Sequence, residues 1–145
     1  STIKAPKLLP VLDRLTALKP NRMEAELLSG VAIRTEEDVH RAARVLLDKG
    51  VEQVYISLGT EGLYGADRDG REVRLPCPQI HAVNATGGGD AMAAALAACI
   101  ARGKPLAECA EMAVGAGALA CTAQETIHPG MSWENIRYIL NKEAQ

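Results

Sequence analysis

The sequence contains 145 residues, of which 48% are hydrophobic and 23% are charged, and this is enough for one globular domain with a real core. A formal net charge of −2 and an aromatic content of 3% argue against a nucleic-acid partner, because a basic surface and stacking side chains are both missing. The longest apolar run, Ala91–Ala101, is too short to cross a bilayer, so no membrane partner is expected.

The hydrophobic pattern and the capping residues divide the chain into helices and strands. The first predicted elements are an amphipathic helix over residues 7–17, an extended segment over 17–20, a helix from a cap at Asn21 to Leu28, and a helix from Thr35 to Gly50. They are followed by a buried strand over 51–58, a hairpin with strands at 63–66 and 72–75, and a strand over 79–83. The chain then forms alanine-rich helices over about 90–102 and 106–123 and a last helix from Ser132 to about Asn141. Helices alternate with strands early and cluster late, which indicates an α/β layered fold.

The first of three motifs is Lys19-Pro20-Asn21-x-x-Glu24. Asn21 is a good N-cap and Glu24 stands at the third helical position, which is the pattern of a capping box. The same side-chain oxygens are suitable ligands near a magnesium–phosphate complex, directly or through water. The residues alone favour the cap.

The second motif, Ser57-Leu58-Gly59-Thr60-Glu61-Gly62, follows the predicted buried strand. A strand that ends in a glycine-spaced loop is a common place for ligand contacts in α/β sheets. A plain turn into the hairpin explains the same residues, and the loop taken alone favours that interpretation. Neither a P-loop nor a dinucleotide fingerprint occurs in the chain.

The third motif, Asn84-Ala85-Thr86-Gly87-Gly88-Gly89-Asp90, precedes an apolar run and is the most informative stretch. Three glycines let the backbone direct several N–H groups toward one point. The positive end of the following helix faces the same point. Together, the N–H groups and the helix end make an anion site suited to phosphate. A carboxylate at Asp90 is unfavourable there unless it abstracts a proton from a hydroxyl that attacks a phosphoryl group. Asp is also favoured in the first turn of any helix, so a purely structural interpretation stays open.

In this order and spacing, the three motifs resemble the ribokinase-like (PfkB) carbohydrate kinase family. The resemblance covers essentially the whole chain but only the carboxyl-terminal half of a typical member. Within the family, the stretch from Lys7 to Gly30 looks most like the pseudouridine kinases. The resemblance implies a single nucleotide-binding and catalytic half-domain over residues 1–145, with a layered α/β/α fold that lacks the lid and the amino-terminal strands.

The resemblance also implies ATP and Mg²⁺ as cofactors and gives each matching residue a role. Asp90 would be the general base for the acceptor's 5′-hydroxyl, and the backbone N–H groups of Gly87, Gly88 and Gly89 would bind the γ-phosphoryl group. The remaining implied positions are Ser57, Gly59, Thr60 and Gly62 at the ATP phosphates and ribose, Asn21 at phosphate, Glu24 at hydrated Mg²⁺, and Val114–Ala120 near the adenine.

The third motif departs from the family pattern at three positions. The family usually has Asp at position 84, Thr at 85 and Ala at 88, where this chain has Asn84, Ala85 and Gly88. Asn84 and Thr86 match positions that bind a monovalent cation in some members, which implies K⁺. The missing carboxylate at position 84 weakens the expectation of potassium activation, which stays open.

The activity implied by the resemblance is ATP-dependent phosphoryl transfer to the 5′-hydroxyl of a ribose-containing nucleoside, with pseudouridine as the first candidate. One alternative is another ribokinase-like sugar or nucleoside kinase. A second is a catalytically inactive nucleotide-binding fragment, which would form a homo-oligomer or pair with the missing amino-terminal half.

Cysteine usage bears on the metal and on the compartment. The four cysteines, Cys77, Cys99, Cys109 and Cys121, form no Cys-x-x-Cys pair, which argues against zinc. They are typical of a reducing compartment, and no signal peptide is evident, so we expect a cytoplasmic protein.

Overall fold

The computed structural model describes residues 2–141. Its helices and strands are β1 (Ala17–Leu18), α1 (Arg22–Ser29), α2 (Glu36–Asp48), β2 (Gln53–Ser57), β3 (Leu63–Asp67), β4 (Glu72–Leu75), α3 (Gly88–Ala101), α4 (Leu106–Cys121) and α5 (Trp133–Asn141). Two 3₁₀ segments cover Thr2–Arg14 and Gly59–Glu61. The described chain divides into two compact units: a first unit of residues 2–59 and 63–74, and a second unit of residues 60–62 and 75–141. The single half-domain over residues 1–145 stays a prediction.

The first unit is built on a four-stranded sheet in the order β1-β2-β3-β4. Strand β1 pairs parallel with β2, with Leu18 opposite Val54, whereas β2 pairs antiparallel with β3, with Tyr55 opposite Gly65. Helices α1 and α2 pack against each other and against β2, and their shared core is aliphatic apart from Tyr64. The predicted hairpin is present, and it extends the sheet on the side away from β1.

Both helices of the first unit begin at reciprocal caps, of which the sequence predicts the one at Asn21 and Glu24. The Asn21 side chain accepts from the Glu24 backbone N–H while the Glu24 carboxylate accepts from the Asn21 backbone N–H. Thr35 and Asp38 form the same pair at the start of α2. Two of the orphan N–H groups at each helix start are thereby satisfied, which fixes where the helix begins.

The second unit consists of three packed helices, and small residues set how closely they approach. A Cβ at Gly117 of α4 would lie 2.7 Å from Met92 Cγ of α3, and a Cβ at Gly115 would lie 2.8 Å from Ile136 Cγ2 of α5. Every residue of α4 from Met112 to Ala120 is buried. No helix within residues 2–141 is both long and apolar enough to span a membrane.

Two predicted elements differ from the structure. The predicted helix over 7–17 is instead a 3₁₀ segment over Thr2–Arg14, because Pro6 and Pro10 interrupt an α-helical hydrogen-bond ladder. The predicted strand over 79–83 is wrong, since these residues form neither a helix nor a strand. The backbone N–H of Val83 instead donates to the carbonyl at the end of α4, 2.8 Å away, so the segment is held by a helix end.

The cap of α2 predicts how stability depends on pH. Hydrogen bonds from the backbone N–H of Arg34 and from Thr35 hold the pKa of the Asp38 carboxyl below its usual value. The ionised carboxylate therefore stabilises the fold above about pH 4, and this contribution is lost as the pH falls through the folded-state pKa. We expect Asp38→Asn to unfold at a lower temperature than the wild type at neutral pH, with a gap that narrows below about pH 4.

Thermal unfolding followed by circular dichroism, from neutral pH to about pH 3, measures this gap. Asp48→Asn is the matched control, because a negative charge in the last turn of the same helix gains nothing from the helix dipole. A gap of constant size across the pH range would contradict the charge-based explanation.

Candidate active site

In the first unit, the ends of β1 and β2 bring together residues of the first two motifs. Asn21 and Ser57 form an isolated parallel bridge just beyond the paired residues of the two strands. The Ser57 backbone N–H donates to the Pro20 carbonyl at 2.9 Å. The sequence separates these motifs by more than thirty residues, and the parallel pairing alone makes them neighbours.

Asn21 and Glu24 form the predicted capping box. The Glu24 N–H lies 2.9 Å from Asn21 Oδ1, and the Asn21 N–H lies 3.0 Å from Glu24 Oε2. Capping does not exhaust the Glu24 carboxylate, since its two oxygens offer about four acceptor positions. The same residue has the chemistry to hold a water ligand of Mg²⁺, and the structural and metal-binding interpretations are compatible.

Lys19 lies beside these two motifs, and its residue pattern alone predicts no role for it. Its Nζ lies 3.4 Å from Ser57 Oγ, as a donor to that hydroxyl. Lys19 also lines a cavity of about 260 Å³, whose polar lining is completed by Lys4 and Glu24. In the sequence, Lys19 lies directly between a strand and a capped helix. A lysine at this position has its ammonium group near the point where the strand ends meet.

The second motif forms a short turn that requires glycine at both ends. Gly59 and Gly62 have φ values of +63° and +94°, a region that other residues rarely adopt. A Cβ at Gly62 would overlap the Leu75 carbonyl oxygen, so the backbone approaches too closely for any side chain. Gly59 and Thr60 are exposed. The turn therefore presents backbone to solvent at Gly59 and Thr60, two of the four positions where phosphate and ribose contacts are expected.

In the second unit, Gly87 starts α3 with a left-handed backbone of φ +90°. No side chain caps the helix, and the first intrahelical bond runs from the Ala91 N–H to the Gly87 carbonyl at 2.9 Å. The N–H groups of Gly88, Gly89 and Asp90 precede that bond and have no acceptor within the helix. Gly89 and Asp90 are exposed. This geometry is suited to an anion, with a carboxylate beside it.

The segment that follows α4 supports the glycine loop, a role that its sequence does not predict. The Cys121 carbonyl accepts from the backbone N–H groups of Val83 at 2.8 Å and Asn84 at 3.2 Å. A Cβ at Gly87 would overlap the Thr126 carbonyl oxygen, and one at Gly88 would lie 3.1 Å from Cys121 Sγ. Residues 121–126 contain no motif, so only the fold reveals this role.

The Asn84 side chain joins the loop to the same segment. Its Nδ2 donates to the Gln124 carbonyl at 2.8 Å, and its Oδ1 accepts from the Thr86 backbone N–H at 2.9 Å. Asn84 and Thr86, the residues implied for a monovalent cation, are thus adjacent. The side-chain oxygen and nitrogen of Asn84 are hydrogen-bonded to the Thr86 backbone N–H and to the Gln124 carbonyl.

The Val114–Ala120 segment has a clear structural use. Its glycines admit side chains from α3 and α5, so they leave no room for a ring at those two positions. Ala116 lines a cavity of about 360 Å³, together with alanines of α3 and with Trp133 and Ile136. The adenine contact of this segment stays a prediction.

Comparison with known proteins agrees with this geometry. The profile of the pfkB family of carbohydrate kinases matches residues 1–133, and the chain therefore belongs to this family. The chain is 37% identical over 137 residues to the pseudouridine kinase of Escherichia coli strain K12, a match that covers 92% of this chain and 44% of that protein.

Two solved structures show the same fold. Arabidopsis thaliana ribokinase complexed with ribose and ATP aligns with a TM-score of 0.80 and 28% identity, over 91% of this chain and 43% of that one. Escherichia coli phosphofructokinase-2 in complex with potassium aligns with a TM-score of 0.83 and 26% identity, over 95% of this chain and 45% of that one. The predicted ribokinase-like α/β fold is confirmed, and the chain spans less than half the length of these relatives.

The contact between Gly88 and Cys121 predicts a coupling between the two positions. A methyl group 3.1 Å from Cys121 Sγ is tighter than ordinary contact, so Gly88→Ala should crowd the thiol, and Cys121→Ala should relieve the crowding. We expect a coupling of about 0.5–3 kcal/mol in a double-mutant cycle measured by chemical unfolding.

Cys109→Ala provides the matched background, because Cys109 is a fully buried cysteine of the same helix whose thiol bonds to the Lys104 carbonyl. Gly88→Ala should cost the same in that background as in the wild type. Equal costs in the Cys121→Ala and Cys109→Ala backgrounds would show that the thiol does not limit the space at Gly88.

Proposed function

We propose that this chain supplies the ATP-binding and catalytic part of a kinase that phosphorylates the 5′-hydroxyl of a ribose-containing nucleoside, with pseudouridine as the first candidate. The observation that carries the proposal is the start of α3, where uncapped N–H groups and the exposed Asp90 carboxylate lie side by side. Membership of the pfkB family and 37% identity to a pseudouridine kinase support it.

The residues at the start of α3 have complementary tasks in this reaction. The acceptor oxygen forms a bond to the γ-phosphorus while the bond to the bridging β–γ oxygen breaks, and ADP leaves. Asp90 takes the proton of the attacking hydroxyl. The N–H groups of Gly88 and Gly89 are fixed donors for the charge on the phosphoryl oxygens, and they need no rearrangement as that charge develops.

The residues near the ends of β1 and β2 fit a hydrated magnesium–nucleotide complex. No group of three or more His, Cys, Asp or Glu side chains within residues 2–141 is placed to hold a metal. Mg²⁺ commonly needs only one or two carboxylates, with water and substrate phosphates as its other ligands. Glu24 supplies the carboxylate, and Lys19 and Ser57 supply a cation and a hydroxyl for phosphate oxygens. When bound, Mg²⁺ neutralises phosphate charge.

Two alternatives differ from this function in the acceptor or in the assembly. Another sugar or nucleoside acceptor is the nearest alternative, because the similar structures include a ribokinase and a phosphofructokinase. A nucleotide-binding chain that pairs with a second copy or with the remaining part of the kinase is the other alternative. Exposed apolar side chains in the first unit, such as Met23 and Leu27 on α1, favour such pairing.

Replacing Asp90 tests the catalytic role directly. Asp90→Asn in the complete kinase should lower kcat for nucleoside phosphorylation by about 10²–10⁴-fold, because a general base is lost while the shape is kept. Calorimetric titration with Mg·ATP should give a dissociation constant close to that of the wild type, since the N–H groups are unchanged.

Glu108→Gln is the control, as an acidic residue in the first turn of α4. It should leave kcat within about twofold, because the surface pair that it breaks with Lys104 contributes little. Near-normal turnover of Asp90→Asn would overturn the mechanism. Saturable Mg·ATP binding by the wild type without transfer to any acceptor would favour the non-catalytic alternative.

Glu24→Gln separates the metal role from the cap. Gln also completes a capping box, so the unfolding temperature should change little. The charge that attracts hydrated Mg²⁺ is lost, so we expect the Mg²⁺ concentration for half-maximal rate to rise by about fivefold or more. A Mg²⁺ titration of the rate at saturating ATP measures this. An unchanged requirement would restrict Glu24 to capping.

A further inference from the structure

The Asn84 amide is held at both of its ends within the second unit. Its Oδ1 accepts from the Thr86 backbone N–H, and its Nδ2 donates to the Gln124 carbonyl. A backbone N–H is only a donor and a backbone carbonyl is only an acceptor, so the two partners fix which end of the amide is nitrogen. The nitrogen therefore faces the segment after α4, and the oxygen faces the glycine loop.

These residues do not fit a monovalent cation. A cation needs several oxygen atoms with lone pairs directed at it. Here the neutral Asn84 side chain supplies no negative charge, one lone pair of its oxygen and one of the Gln124 carbonyl are used by N–H groups, and the Cys121 carbonyl accepts two N–H groups. The atom of Asn84 that faces Gln124 carries hydrogens with partial positive charge. The amide nitrogen, which cannot be a cation ligand, thus lies against the Gln124 carbonyl oxygen.

We infer that the Asn84 amide takes the place of a monovalent cation between the glycine loop and the segment after α4, so that the kinase works without K⁺. This inference rests on the proposed function for its kinetic part. The physical reason is that a neutral amide links two backbone segments with two hydrogen bonds and needs no counter-charge. A carboxylate at the same position only accepts hydrogen bonds, and it would face the Gln124 carbonyl with no hydrogen between them.

The exchange of amide for carboxylate is therefore the decisive experiment. Asn84→Asp sets a negative charge against the Gln124 carbonyl, and a cation between them would relieve the repulsion. We expect this variant to unfold at a higher temperature in KCl than in tetramethylammonium chloride of equal ionic strength. Its rate of phosphoryl transfer should rise about tenfold with K⁺. The wild type should show no difference between the two salts in either measurement.

Two further variants keep the experiment decisive. Asn135→Asp is the matched control, because Asn135 Nδ2 also donates to a backbone carbonyl, that of Gly130 at 2.7 Å, in the same unit. It should lose some stability equally in both salts. Asn84→Ala removes the bridge without adding charge, so its lower unfolding temperature should be independent of the salt even if Asn84→Asp fails to fold.

The outcomes separate the inference from the proposed function. A wild type whose unfolding temperature or rate responds to K⁺ but not to tetramethylammonium would overturn the inference. The same holds for an Asn84→Asp variant that folds and shows no preference for K⁺. Absence of phosphoryl transfer in both salts would count against the proposed function, while the unfolding temperatures would still decide whether Asn84 replaces the cation.

Discussion

The geometry of the candidate site depends on one constraint, which is the way the chain enters α3. Gly87 adopts a left-handed backbone directly against the Thr126 carbonyl, a position that no residue with a Cβ fits. The chain therefore turns abruptly into the helix, without a side-chain cap, and the first N–H groups of α3 stay available. A capped helix start would be more stable by about 1 kcal/mol, but its cap would compete with a phosphate for the same donors.

In the first unit, ordinary secondary structure positions the polar side chains of the candidate site. Parallel pairing of β1 with β2 sets Asn21 beside Ser57, and the capping box holds Glu24 at the start of α1. Polar groups are thus fixed by the backbone hydrogen bonds and by the cap that also define the fold. Side chains positioned in this way lose little conformational entropy when a ligand binds.

Local chemistry explains which parts of the structure the sequence could predict. N-cap residues, the Asp69-Gly70 pair in the turn between β3 and β4, and the spacing of apolar residues act over a few positions, and helices α1 and α2 and the hairpin follow from them. The strand expected at 79–83 failed because its backbone bonds to the end of α4, almost forty residues away. The contacts of Lys19 with Ser57 and of Cys121 with Gly88 also join residues that lie far apart in the sequence, so no local pattern predicts them.

The departures of the third motif from the family pattern are linked in space. Asn84 bonds to Gln124, and Gly88 lies against Cys121, so two of the three unusual residues contact the segment that begins at the end of α4. A missing methyl at position 88 makes room for the thiol, and an amide at position 84 supplies the donor that the Gln124 carbonyl needs. Taken singly, each departure makes the match to the family motif weaker. In the structure, they form one altered contact between the glycine loop and the segment after α4. Close packing and neutral hydrogen bonds at this contact hold the anion site in place.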